Sequence, residues 1–171
     1  MDTLGNLTKA LGNPEYLFLL IEPVFIYGIL LGIIVFVIGF LLKDKKAQTL
    51  GLVFVIVSSF AIWPYLKFRD KAENRISKVY AVEDPTVVKG FKEQSQLRND
   101  TKWIFFALGG VAGVVLLIGA QTNRMGFVLG IMTVVGGVTV VIFSMTMHLK
   151  ESQVFHPNLL IQQRVVQASV P

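Results

Sequence analysis

Cysteine is absent from this 171-residue chain, histidine occurs only twice, and charged residues make up 16% of it. The missing thiols exclude disulfides, thiolate metal sites and cysteine nucleophiles. No G-x-x-x-x-G-K-[ST], H-E-x-x-H or G-x-S-x-G sequence occurs, so P-loop nucleotide hydrolysis, zinc proteolysis and elbow-type serine hydrolysis lack their minimum apparatus. Haem held in a helical membrane bundle takes axial histidines from facing helices, whereas His148 and His156 both follow the last apolar run. Buried nucleophiles with a base, or paired carboxylates inside an apolar run, are also missing. The expectation is a protein that is not an enzyme and carries no cofactor.

What the chain has is apolar length. Of its residues 53% are hydrophobic, more than a soluble domain of this size could cover. The excess is gathered into four runs, Pro23 to Leu42, Thr49 to Leu66, Trp103 to Ala120 and Gly126 to Met147, none with a Lys, Arg, Asp, Glu or His inside it. Each is about the 17 to 25 residues that a helix needs to cross a bilayer. The expected fold is an all-α polytopic membrane protein, a single domain of four transmembrane helices arranged as two antiparallel hairpins joined by an extramembrane helical connector. Asp2 and Lys9 give no basic leader and no small-residue cleavage site follows, so the first run is expected to stay in place.

Lys43 to Gln48 and Gln121 to Met125 are long enough only to reverse the chain. The connector, residues 67–102, holds nine Lys/Arg against six Asp/Glu. Asp84-Pro85 reads as an N-cap followed by proline at the first helical position, starting a helix that can run on through Trp103. Upstream, Phe68, Ala72, Ile76 and Tyr80 recur every four residues, so the second span should continue out of the bilayer as an amphipathic helix. Pro64 reads as a tolerated kink near a helix end. Trp63, Tyr65 and Trp103 mark one interface. The N-terminus, connector and tail (residues 148–171, with apolar patches at Leu159-Leu160-Ile161 and Val165-Val166) share one side and hold 12 of the 16 Lys/Arg. The positive-inside rule places them in the cytoplasm and the protein in the inner (plasma) membrane.

Glu22 and Pro23 sit at the mouth of the first span. With the span beginning at Pro23, the proline falls in the first turn where its missing N–H breaks nothing, Tyr16 to Ile21 form a short interfacial helix, and Glu22 is interfacial. With the span beginning at Tyr16, Glu22 lies inside the membrane with no opposite charge in its own helix, a placement that marks function. Gly28 and Gly32, Gly109 and Gly113, and Gly126 and Gly130 stand four apart and can bring helix backbones together. Gly136-Gly137, Thr133, Thr139 and Ser144 place the fourth span at the centre of the bundle or against another chain, with the hydroxyls as packing glue. His148 fits a helix C-terminus, where the dipole favours a cation, with a ligand role as the lesser possibility. His156, before Pro157, fits the turn into the tail.

The sequence pI is near 9.6, yet basic and acidic residues are interspersed, as in Arg69-Asp70-Lys71, so no phosphate-tracking stripe and no nucleic-acid partner is expected. Expected partners are the lipid bilayer and other membrane protein subunits or further copies of the chain. The leading functional expectation is a non-catalytic membrane subunit that packs against and stabilises a larger complex. The alternatives are a small oligomeric transporter or channel using Glu22 and, behind it, a haem-associated electron-transfer protein. The two hairpins, Trp63-Pro64-Tyr65 and an Ala72-centred helix leading to a charged connector resemble an uncharacterised family of small four-helix bacterial membrane proteins, some of them suspected of electron-transfer or haem roles. Where that family's connector histidines would stand, this chain has Phe91-Lys92-Glu93, and the resemblance implies no site residues.

Overall fold

In a computed structural model that describes residues 10–83 and 85–155, these residues are almost wholly helical. The helices are α1 (Pro14–Leu41), α2 (Lys45–Phe60), α3 (Ile62–Glu83), α4 (Pro85–Ile118) and α5 (Arg124–Phe155). Four stretches are long and apolar enough to cross a membrane: α1, α2 continuing into α3 as far as Lys78, α4, and α5. The protein is all-α and multi-pass. The Asp84 cap, His156 and the tail patches lie outside the described residues.

Helix α1 starts earlier than the first apolar run and corrects the expected place of Pro23 in it. Asn13 is the N-cap, its side-chain oxygen accepting from Glu15 N at 3.0 Å, and Pro14 rather than Pro23 occupies the first turn. Pro23 stands inside an unbroken helix, and Tyr16 to Ile21 belong to that helix rather than to a separate one. Neighbouring helices compensate for a proline within a membrane helix, so the missing bond to the carbonyl four residues back is tolerated. Pro64 acts differently. Its ring conflicts with the carbonyl of Phe60, and the helix breaks there, at Ala61, before resuming as α3. Helix α4 runs without interruption from Pro85 through Trp103.

The turn between α1 and α2 is shorter than expected, because Lys45 to Gln48 are already helical. Lys43 N donates to Phe40 O at 3.3 Å and Asp44 N to Gly39 O at 2.9 Å, the paired bonds of a Schellman ending. Asp44 then caps α2 by accepting from Lys46 N at 2.8 Å. The left-handed residue that this ending needs is Lys43, at φ 56°. Gly119 supplies it at the end of α4, at φ 78°.

Helix α1 packs on α2, α3 and α5, and α4 packs on α5, α2 and α3. At the α1–α2 crossing the backbones nearly touch. A Cβ on Gly32 would lie 2.8 Å from Val55 N and 2.9 Å from Gly51 O, and one on Gly51 would strike the Phe36 backbone. Gly28 faces Ser58, Gly109 faces Ser59 and Phe60, Gly130 faces Phe36 and Ala120, and Gly126 lies against the Gly119 carbonyl. Gly136 meets Leu108 and Gly137 meets Ile33, but a Cβ on Gly113 would meet nothing within 4 Å. Helix α5 flanks the bundle on α4 and α1 instead of forming its centre. Thr133, Thr139 and Ser144 donate to Leu129, Val135 and Val140 carbonyls of their own helix, so these hydroxyls do not join helices.

Two outcomes follow for unfolding titrations in mixed micelles. Gly51→Ala should cost about 1–3 kcal/mol, since backbone rather than a flexible side chain opposes it, while Gly113→Ala stays within about 0.5 kcal/mol of wild type. Lys43→Gly should stabilise by about 1 kcal/mol, the penalty of a Cβ in the left-handed region.

Candidate functional site: a buried ionic cluster

Each helix that reaches the connector end extends its buried face by one more helical step, and in each case an ionisable residue lies on that step. On α1 the face runs Phe18, Glu22, Phe25, Ile29; on α3 it runs Ile62, Tyr65, Arg69, Ala72. On α4 it runs Phe91, Ser95, Arg98, Phe105, and on α5 Val140, Ser144, Met147, Glu151. The 3–4 spacing that buries the apolar members buries the charges with them. Arg69 is 0% exposed and Glu22, Arg98 and Glu151 are nearly as inaccessible.

Arg98 is the hub. Its Nη1 donates to Glu22 Oε1 at 2.8 Å and to Tyr65 Oη at 2.6 Å, and its Nη2 donates to Glu151 Oε2 at 2.5 Å. Arg69 Nη1 reaches the other Glu151 oxygen at 2.7 Å and Tyr65 Oη at 2.9 Å, while its Nε donates to Ser95 Oγ at 2.8 Å. Glu151 thus gives one oxygen to each arginine, and the Tyr65 oxygen accepts from both. Two guanidinium groups and two carboxylates balance in charge. Aromatic rings close the cluster: the Arg69 guanidinium carbon lies 4.2 Å from the Phe91 ring centroid, and Tyr65 meets Phe25 edge-on at 5.0 Å. Arg69 Nη2 and Arg98 Nε are buried without a hydrogen-bond partner.

Glu22, singled out in the sequence, therefore does have an opposite charge, on another helix. It stands about 20 residues from the Leu42 turn, about 30 Å of helical rise and about the thickness of a bilayer's hydrocarbon core, with protein around it. His148 is also corrected. Helix α5 continues to Phe155, which leaves His148 about two turns inside it instead of at its end. Its Nδ1 lies 3.3 Å from Glu22 Oε1, and its side chain is 59% exposed. Sequence reasoning passed over Tyr65, Arg69, Ser95, Arg98 and Glu151 as cluster members because they lie among residues that read as solvated or interfacial.

Below the cluster the interior is mostly apolar, filled by Ile29, Ile33, Phe36, Leu52, Val55, Leu108, Ala112 and Val115, with Gln48, Ser58, Ser59 and Thr133 buried among them. Among the described residues no group of three or more His, Asp and Glu side chains is arranged to hold a metal ion.

A buried ion pair is costly to form and costlier to halve. Arg98→Gln leaves Glu22 and Glu151 facing each other's charge without their shared partner and should cost about 3–5 kcal/mol. Adding Glu22→Gln to that variant should cost much less than Glu22→Gln alone, since the two residues are coupled. Additive losses in a double-mutant cycle would show that the contact carries no energy.

Comparison of the chain with protein-family models, curated proteins and solved structures gives no match. The resemblance carried by the two hairpins, Trp63-Pro64-Tyr65 and the Ala72-centred helix rests on those features, and the cluster is the feature from which a role has to be built.

Proposed function

We propose that this protein is a non-catalytic subunit of the inner (plasma) membrane, a four-span bundle that packs against and steadies other membrane proteins or further copies of itself. In this reading the spans form two antiparallel hairpins, and α3 beyond Tyr65 together with α4 before Trp103 makes a helical connector on the cytoplasmic side, where both termini also lie. The carrying observation is that the buried acidic and basic side chains among the described residues, Glu22, Arg69, Arg98 and Glu151, form ion pairs with one another. A transport path needs polar groups that a passing ion or proton can engage in succession. Here the buried charges form a clamp above a mostly apolar core, which favours a structural part over a small oligomeric transporter or channel using Glu22.

The glycines on outward positions support the same reading. Gly110 and Gly113 leave open space on α4, next to the exposed Val114 and Leu117. Small residues on a lipid-facing helix allow another helix to approach closely.

Gentle detergent extraction followed by mass measurement of the particle tests the association: an assembly heavier than one chain is expected, and a stable lone monomer would count against the proposal. Topology is tested separately in the naturally Cys-free chain. Thr122→Cys should react with a membrane-impermeant thiol reagent on intact cells, whereas Gln96→Cys, on the exposed face of the connector, should react only after lysis. The reverse pattern would invert the orientation. Ser95 is unsuitable as a probe because it is buried against Arg69.

A further inference from the structure

The ionic cluster is not sealed on every side. Between α1 and α5 a groove of 330 Å³ reaches Glu22 and His148, with Leu19, Pro23, Ile26 and Met145 among its walls. The apolar walls lie on surfaces that face lipid, since Leu19 and Tyr27 are both more than half exposed. The polar end lies at the depth of the headgroups, at the same edge of the span as Glu22. The groove is far too small for a whole lipid and suits a headgroup with the first methylenes of its chains.

We propose that this groove binds the headgroup of an aminophospholipid from the surrounding bilayer, its primary ammonium donating to Glu22 and its phosphate accepting from His148. Both contacts of the Glu22 carboxylate, to Arg98 and to His148, fall on Oε1, which leaves Oε2 uncommitted to either. His148 turns Nδ1 towards Glu22 at 3.3 Å, and in its protonated form, in which both ring nitrogens donate, Nε2 is the one on offer to a phosphate oxygen. The charge balance selects the class of headgroup. Glu22 and Glu151 already offset Arg69 and Arg98, and an anionic headgroup without an ammonium brings the Glu22 carboxylate a second negative charge and no N–H donor. A zwitterion brings its own cation to Glu22. A trimethylated ammonium carries no N–H to donate and loses the hydrogen bond to the carboxylate. The order expected is phosphatidylethanolamine first, with phosphatidylcholine and phosphatidylglycerol behind. Nothing in this site depends on what else the protein associates with.

The test is native mass spectrometry of the full chain after reconstitution in equal parts of the three lipids. Wild type should retain phosphatidylethanolamine about tenfold over each of the others, the ratio expected from one additional charge-assisted hydrogen bond. His148→Ala should lower that retention severalfold without changing the melting temperature, as the side chain is largely exposed. Met145→Trp, which fills the groove and leaves Glu22 and His148 in place, should lower it as well. Equal retention of the three headgroups, a preference for phosphatidylglycerol, or unchanged retention in Met145→Trp would each overturn the proposal. Should His148→Ala prove unstable, the Met145→Trp result alone decides.

Discussion

Arg98 fixes how the helices stand relative to one another. Inside a bilayer, sliding one apolar helix along another changes the burial of apolar surface very little, because lipid and leucine are alike as surroundings. Register has to come from something position-specific. Arg98 on α4 bonds Glu22 on α1, Tyr65 on α3 and Glu151 on α5, and Arg69 bonds the same Tyr65 and Glu151. Shifting any of these helices by one turn, about 5.4 Å, would take its group out of reach and leave a charge or a hydroxyl unpaired in the protein. The aromatic shell adds to this by excluding water, which strengthens each pairing and makes each unpairing more costly.

Helix α2 contributes no residue to the cluster and is held by shape. Gly32 on α1 and Gly51 on α2 bring the two backbones together, Gly39 lies against the start of α2, and Gln48 Nε2 donates to Gly39 O at 3.2 Å. The structure thus has two kinds of fastening at opposite ends of the spans. Backbone proximity works at the Lys43 turn, where the chain is tight; ion pairing works at the connector end, where four helices arrive from distant parts of the sequence. Arg98 and Glu22 are 76 positions apart. No short turn could position them.

The spans were legible from sequence because bilayer crossing imposes one requirement, uninterrupted apolar length, that composition displays directly. The start of α4 at Pro85 and its continuation through Trp103 were legible for a similar reason, since proline at a first turn and an unbroken helical pattern are local features. Glu22 stands out because its neighbours are apolar, but its partners Arg98 and His148 are on other helices, and ion pairs between helices leave no mark within one segment. Arg69 and Arg98 were hidden differently. Each lies among other charges, and what distinguishes Arg98 from Lys92 or Lys102 is only its register with Phe105, Leu108 and Ala112 on one face. Extending each span's buried face outward by one or two turns would have picked out Glu22, Arg69, Arg98 and Glu151 together. Pro23 misled because a proline near a span end is as compatible with a first turn as with a helix interior, and Pro14 settles the matter only once Asn13 is seen to cap it.

The location of the cluster reconciles two opposing demands. A charge at the middle of a membrane helix costs about 2.5–3.5 kcal/mol on insertion, so four of them there would oppose the crossing of every span. At the span end the cost of insertion is small, because each side chain can reach water or headgroups until its partners arrive. Once the helices meet, the same side chains are withdrawn from water by protein rather than by lipid, and the balanced set of two arginines and two glutamates makes that withdrawal tolerable. Replacing the set with leucines of similar volume could give a bundle as stable or more so, but it would remove charged groups that set where α3 and α5 stand along α4. The cluster is better understood as a specifier of geometry than as a source of stability, and at Glu22 with His148 that geometry is reached by the groove between α1 and α5.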